Sequence, residues 1–343
     1  MSVFEDDMAS VGETIKQLNI TDKTFLITGA TGLVGSVITK SILHNKEENN
    51  RVIALIRNKD KAEKIFGDEC GRLEFYVSDI NNPINIDKHV DYIIHTASET
   101  KSKNMVSKPV ETLWTSVNGT KNVLDFAVRQ HVSSMVYLSS MEVYGITDPE
   151  NGKISEEDLG YIDISNVRSC YPESKRLNEN LCACYASEYA LNVKCARLAQ
   201  TFGAGVSQSE TRVFAQFAKS AIEKKDIVLH TEGKSYGNYV YLSDAIRAIL
   251  ILLAKGKTGE SYTVVNPETT MQIRDMAKMV ANELTNDEIK VAFDIPEENT
   301  YGYAPNVTMH LSADKINQLG WKPKYGLLDM YKRMIAYWQD KQL

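Results

Sequence analysis

Phe25-Leu26-Ile27-Thr28-Gly29-Ala30-Thr31-Gly32-Leu33-Val34-Gly35 is the stretch on which the fold turns. An apolar run of strand length meets a glycine-rich turn, and the turn opens an apolar helix that runs to about His44. Glycines let the backbone bend tightly and approach a pyrophosphate, while the free N–H groups and positive end of the helix attract its charge. A second apolar run, 52–56, follows about twenty residues on, which is the context that turns a glycine-rich loop into a dinucleotide site. Gly29, Thr31, Gly32, Leu33, Val34 and Gly35 are therefore expected to hold a cofactor.

Working outward, further apolar runs recur at 73–77, 92–96, 135–139 and 193–198, with helical stretches between them. They are predominantly apolar and do not alternate, as strands buried on both faces read. The alternation predicts an α/β fold, a doubly wound Rossmann parallel sheet with right-handed crossovers and ligands at the carboxyl ends of its strands. After about residue 200 the rhythm loosens into helices at 211–224, 243–255 and 273–284, a short strand at 262–265, and loops at 203–209 and 297–305. The predicted organisation is a dinucleotide-binding domain over 1–200, with roughly residues 1–20 as an extension, and a smaller C-terminal α/β substrate lobe over 201–343. Some of the late segments are expected to return to the first domain.

Composition narrows the function. The 343 residues are 43% apolar, yet the longest apolar stretch of the later half is Ala248 to Ala254, flanked by Arg247 and Lys255. A membrane span takes about twenty residues, so none is expected. Glu5, Asp6 and Asp7 near the start do not make a secretory signal. With 39 basic and 45 acidic residues the net charge is -6, which offers a nucleic acid no foothold. Cys70, Cys170, Cys182, Cys184 and Cys195 are odd in number, as in a reduced cytoplasmic chain. Cys182 and Cys184 are two apart and should face different sides of a helix, and His44, His89, His131, His230 and His310 lack metal-ligand spacing.

The second run ends in Arg57-Asn58-Lys59, with no acid until Asp60. A planar cation beside the adenosine ribose suits a 2′-phosphate, so NADP is preferred over NAD. Asp79, after the third run, is placed to accept from the adenine amino group. Farther on, Tyr171-Pro172-Glu173-Ser174-Lys175 sets a phenol and an ammonium on one face of a helical turn. The ammonium is expected to lower the phenol's pKa toward neutrality, and Lys175 to hold the nicotinamide ribose as well. Ser140, at the end of the fifth run, completes a three-group site for taking a proton from an alcohol as hydride leaves its carbon.

These motifs resemble those of extended short-chain dehydrogenases/reductases of the NAD-dependent epimerase/dehydratase family. The resemblance spans about residues 22–338 and rests on Thr28 to Gly35, His95-Thr96-Ala97-Ser98, Ser139 to Gly145, Tyr171 to Lys175, Arg197 to Gly203, Tyr239 to Asp244 and Leu319-Gly320-Trp321-Lys322-Pro323. It implies a nucleotide-sugar substrate, with Ser140, Tyr171 and Lys175 as the catalytic set and Ile80, Thr96, Ala97, Ser98 and Ser139 beside the cofactor. Glu142 and Arg168-Ser169-Cys170-Tyr171 look most like UDP-glucuronate decarboxylases. It also implies a homodimer, built from helices over 104–129 and 171–189 pairing across a two-fold axis.

The departures bear on the reaction. Met141-Glu142 stands where sugar dehydratases carry an Asp-Glu pair, which removes the acid that protonates a leaving hydroxide. Gly237 stands where the decarboxylases carry an arginine. Gln200 and Ser116 replace two of the family's asparagines. Glu142 is either an acid/base and sugar-hydroxyl acceptor or the partner of a backbone N–H; Arg212 is either a ligand of the nucleotide diphosphate or a solvated helix residue. His95 is expected to pack and orient. The expected activity is hydride transfer at a carbinol or carbonyl carbon of a nucleotide sugar, by an epimerase or a ketoreductase. The alternatives are decarboxylation or dehydration of a nucleotide sugar, and a non-catalytic NADP-binding redox sensor.

Overall fold

The apolar runs pair as parallel strands in a computed structural model that describes residues 1–68, 70–148, 152–296 and 308–340. The loop expected at 297–305 lies outside these residues. The strands are β1 (Thr24–Thr28), β2 (Arg51–Ile56), β3 (Leu73–Val77), β4 (Tyr92–His95), β5 (Ser134–Ser140), β6 (Lys153–Ile154) and β7 (Val193–Leu198). There follow β8 (Gln200–Phe202), β9 (Ile227–Leu229), β10 (Tyr236–Tyr241), β11 (Ser261–Val264), β12 (Asn266–Gln272), β13 (Val291–Phe293) and β14 (His310–Leu311). The helices are α1 (Val3–Gln17), α2 (Leu33–His44), α3 (Lys59–Phe66), α4 (Ser102–Ser107), α5 (Pro109–Arg129) and α6 (Cys170–Tyr189). Later come α7 (Val213–Glu223), α8 (Leu242–Lys255), α9 (Ile273–Thr285), α10 (Asp314–Asn317) and α11 (Leu327–Asp340).

Seven strands form one sheet in the order β11-β7-β5-β4-β1-β2-β3, every pair parallel. The chain winds one way from β1 to β3 and the other way from β4 onward, so a crevice opens at the carboxyl ends of β1 and β4. The apolar character of the strands follows from burial on both faces. Phe25 and Ile27 of β1 join Val37 and Ile38 of α2 in one core, while Leu26 points the other way, into a core shared with Val123 and Leu124 of α5. A third core, in which Phe202 stacks on Phe214 at 4.4 Å, gathers residues of α7, α9 and α11.

Three features refine the sequence expectation. The helix expected over 104–129 is two, α4 and α5, with Lys108 between them at φ -141° and ψ 56°. Pro109 causes the break: it has no N–H to continue a helix and disfavours helical backbone before it, yet it starts a new one well. The strand at 262–265 is β11, the edge of the main sheet, paired to β7 from Ser261↔Cys195 to Val264↔Leu198. The initial segment is an integral helix. Val11 and Ile15 of α1 are fully buried in one core with residues of α2 and α8, and the buried Asp7 carboxylate accepts from Tyr241 Oη at 2.6 Å and Arg333 Nη2 at 2.8 Å.

Lys194 on β7 is a buried cation. Its Nζ donates to Ser134 Oγ at 2.8 Å and lies 3.5 Å from Leu253 O near the C-terminal end of α8, whose dipole favours positive charge. Burial lowers its ammonium to about 8. The folded chain therefore binds fewer protons than the unfolded chain between pH 8 and the ordinary lysine value of 10.5, so stability rises with pH through that window. Below pH 8 the whole desolvation penalty is present. Lys194→Met, which leaves Ser134 Oγ donating to Leu253 O, is expected to add about 1–3 kcal/mol at pH 7 and to flatten that rise. Thermal melts at pH 7 and pH 10 test it, and a loss of stability at pH 7 would refute it.

Candidate active site

The glycine elbow is closed by contact with the next strand's end. Gly29 has φ +64°, and a Cβ there would lie 2.8 Å from the backbone of Ala97 and from Thr96 Oγ1. A Cβ on Gly35 would lie 2.4 Å from Gly29 O, so helix and strand meet more closely than any side chain permits. Gly32 is the N-cap of α2 and supplies no side chain to it, which leaves first-turn N–H groups facing the crevice for an anion. Thr31, Leu33 and Val34 are half-buried around this turn.

His95 wires the two central strands together. Its Nδ1 lies 2.6 Å from Thr28 Oγ1 and its Nε2 3.1 Å from Thr120 Oγ1. Thr120 gives its own proton to Ser116 O, so the Nε2–H tautomer of His95 donates to Thr120 and Nδ1 accepts from Thr28. Thr28 Oγ1 then accepts from Ala97 N–H at 3.2 Å, and Thr96 Oγ1 donates to Thr28 O at 2.7 Å. Burial lowers the imidazole to about 3, which keeps it neutral. It is an orienting residue for the 96–98 segment, as expected, and Ser98 follows on that segment, half-buried.

On the adenosine side, Arg57 is exposed immediately after β2, and Asn58 caps α3 by accepting from Lys61 N–H at 2.8 Å. Asp79 is also exposed, but its Oδ1 already accepts from the backbone N–H and Nδ2 of Asn81 at 2.8 and 2.9 Å. Ile80 beside it is buried against Gly119. At the end of β5, the Ser139 hydroxyl is buried with no hydrogen-bond partner. An orphaned buried hydroxyl calls for a ligand, and together with the elbow it fits a nicotinamide dinucleotide lying across the crevice.

Ser140, Tyr171 and Lys175 come together beside it. Ser140 Oγ accepts from Glu142 N–H at 3.2 Å, and it draws the nearby Tyr171 phenol toward ionisation. Tyr171 lies in the first turn of α6, 8% exposed. Lys175 Nζ donates to Leu138 O at 2.7 Å and sits 4.8 Å from the centre of the Tyr137 ring and 5.7 Å from that of Tyr171. The acidity expected of the phenol is corrected by this burial. Desolvation, with the Glu142 charge adding to it, pushes Tyr171 up to about 12, and desolvation lowers Lys175 to about 8. At neutral pH the chain by itself thus holds a protonated phenol, a proton donor.

Glu142 takes neither a backbone N–H nor solvent alone. Arg168, which sequence reasoning passed over as a mere marker of the motif, grips it with both ends of its guanidinium: Nη1 is 2.9 Å from Oε2 and Nη2 3.0 Å from Oε1. The same guanidinium lies 5.7 Å from the centre of the Tyr171 ring. Its place three residues before Tyr171 was the available signal. Arg212 caps α7, half-exposed, and pairs with Glu210 Oε2 at 2.7 Å while stacking on Phe214 at 4.8 Å. Both arginines draw the Tyr171 phenol toward ionisation, against its burial. Gln200 is half-buried on β8. Ser116 is buried: its Oγ accepts from Asn178 Nδ2 at 2.9 Å, and the same amide donates to Tyr137 Oη at 3.0 Å.

The cysteines and histidines are arranged simply. Cys182 is buried and Cys184 exposed, and among the described residues no group of histidine, cysteine and carboxylate side chains is arranged to hold a metal. Among the same residues no helix is long and apolar enough to cross a membrane.

The family model described as the NAD dependent epimerase/dehydratase family matches residues 25–266. UDP-glucuronic acid decarboxylase 1 of Xenopus tropicalis is 31% identical over 321 residues, 93% of this chain and 73% of the relative. Among solved structures, an epimerase from Methanothermobacter thermautotrophicus superposes with a TM-score of 0.79 at 22% identity, covering 96% of each chain. UDP-glucose 4-epimerase of Thermotoga maritima, solved with UDP-glucose, superposes at 0.76 with 20% identity, covering 93% of this chain and all of that one. On the family match, on the relatives and on a glycine elbow facing a serine, tyrosine and lysine, the chain belongs to the NAD dependent epimerase/dehydratase family, the extended short-chain dehydrogenases/reductases that modify nucleotide sugars.

Proposed function

We propose that the protein moves a hydride between a nicotinamide dinucleotide and a ring carbinol or carbonyl carbon of a nucleotide sugar, as an epimerase or ketoreductase. The observation that carries this reading is the Ser140 hydroxyl on the Tyr171 phenol with Lys175 one turn below, at the mouth of the cofactor crevice. When bound, the nicotinamide supplies the hydride exchange and, oxidised, a positive ring. Tyr171 holds the proton that the substrate oxygen gains or gives as its carbon gains or gives hydride. Ser140 binds that oxygen, and the Lys175 ammonium steadies the phenolate form. In an epimerase the ketone formed in this way turns and takes hydride back on its other face; in a ketoreductase the ketone arrives as substrate and leaves as the alcohol.

Decarboxylation is the second reading, because the curated relatives carry that name. Gly237, in place of the expected arginine, weighs against it. The test is incubation with a panel of nucleotide sugars plus NADPH and, separately, NAD, with cofactor absorbance and product stereochemistry recorded together. Net NADPH oxidation supports reduction, an inverted centre with unchanged cofactor supports epimerisation, and carbon dioxide release from a uronate would replace both. In the same assay Arg57→Ala should raise the KM for NADPH about tenfold and leave that for NADH unchanged. Equal change for both cofactors would remove Arg57 from 2′-phosphate recognition.

The homodimer belongs to the same proposal. Val110 and Trp114 on α5 and Leu177 on α6 are exposed on helices that pack side by side, an apolar surface suited to a two-fold partner. Sedimentation at micromolar concentration should give a dimer, and a monomer would refute it.

A further inference from the structure

We infer that Asp7, on α1, is a positioning residue for the nucleotide-sugar side of the site: through Tyr241 it fixes the 203–210 loop that leads to Arg212. The inference rests on the nucleotide-sugar reading above and adds a residue to it. Asp7 is 1% exposed. Its Oδ2 accepts from Tyr241 Oη at 2.6 Å, and its Oδ1 from Arg333 Nη2 at 2.8 Å and Ser243 Oγ at 3.2 Å.

A phenol has one proton and two lone pairs. Tyr241 gives its proton to Asp7, so both lone pairs are left to accept, from Arg333 Nε at 3.1 Å and from the Ala204 N–H at 3.3 Å. The loop after β8 is thereby held from behind. A Cβ on Gly203 would lie 2.4 Å from the Tyr241 ring, and one on Gly205 would lie 2.8 Å from Val37 of α2, the helix of the cofactor turn. Farther along, Trp338 of α11 donates from Nε1 to Val206 O at 2.8 Å, and its carbonyl accepts from Gln208 Nε2 at 3.2 Å. Helix α11 is tied to α1 in turn, since Arg333 also binds Asp6 Oδ2 at 2.6 Å and the Phe4 and Tyr337 rings lie 5.3 Å apart. The loop ends at Glu210, whose carboxylate accepts from the Arg212 backbone N–H at 3.1 Å and from its guanidinium at 2.7 Å. Arg212 is one of the two arginines whose charge acts on the Tyr171 phenol.

Asparagine at position 7 keeps the shape and breaks this order. If its amide nitrogen faces Arg333 and Ser243, the guanidinium donor meets a donor. If it faces Tyr241, the phenol must turn its proton elsewhere, and either Arg333 Nε or the Ala204 N–H loses its acceptor.

The test is hydrogen exchange read by mass spectrometry, with calorimetric titration of UDP-glucose and of NADPH, on the full chain. Asp7→Asn is expected to speed exchange over 203–212 about tenfold, to weaken UDP-glucose about tenfold and to leave NADPH within about twofold. Tyr241→Phe, which keeps the ring and the pairing of Asp7 with Arg333, should do the same and carries the test should Asp7→Asn fail to fold. Ile15→Val, which thins the packing of α1 without touching Asp7, should lower the melting temperature and move neither readout. Unchanged exchange and UDP-glucose affinity in either folded variant overturns the inference, as does equal loosening of the loop by Ile15→Val, which would make α1 a stabilising helix and no more. If the parent binds NADPH but no sugar nucleotide of the panel above, the nucleotide-sugar reading fails, while the link from Asp7 to the loop stands or falls on the exchange alone.

Discussion

Tyr171→Phe will bind nicotinamide cofactor as the unmodified chain does and transfer hydride about a thousandfold more slowly. The substitution removes one oxygen, the proton carrier, and leaves the ring to face Arg168 and Lys175 as before. Ser140 remains to hold the substrate oxygen but has no proton to pass on that is not its own. Stopped-flow nicotinamide absorbance reads the hydride step, and cofactor fluorescence reads binding. A Phe variant within about fivefold of the parent rate would move the proton to another group, Glu142 first among them. A redox sensor, by contrast, would keep its binding and its output.

Glu179→Ala will cost about 3–5 kcal/mol of stability and shift the pH profile of whatever activity remains. Glu179, one turn beyond Lys175, accepts three hydrogen bonds from Arg197 at 2.8 to 3.1 Å and one from Ser261 Oγ at 2.8 Å, tying α6 to β7 and β11. The Arg197 side chain is 6% exposed and that of Glu179 10%, so alanine strands a buried guanidinium with the Tyr144 ring and Glu156 O as its remaining partners. Glu179 is also the foremost charge holding the Lys175 ammonium up against its burial. Without it Lys175 loses its proton at a lower pH, and the alkaline limb of the rate profile moves below about 8. Urea unfolding and a pH–rate series test the two halves separately. A stability loss under about 1 kcal/mol would show that Tyr144 and the Glu156 carbonyl suffice for Arg197.

Much of the site was legible because its chemistry is local. The elbow needs glycine at Gly29 and Gly35 for reasons of steric contact within one turn, and Tyr171 and Lys175 share a helical face by spacing alone. The acidity of the phenol was not legible. Spacing places an ammonium near it, but how far each group is stripped of water depends on β5 and α6 closing over both, and that burial reverses the expected shift. The break at Lys108 was written in Pro109 and was hidden by an apolar period that runs on across it.

By itself the sequence determined the parallel sheet, the glycine turn and the candidate tyrosine and lysine on one helical face, since strand patterning, glycine geometry and one helical turn act over a few neighbouring residues. Only the tertiary structure decided that Arg168 is bound to Glu142, that Tyr239 fills the space beside Gly237, and that β11 closes the sheet. Glu142 and Arg168 are 26 residues apart, and β7 and β11 more than 60, so their meeting depends on how whole elements pack.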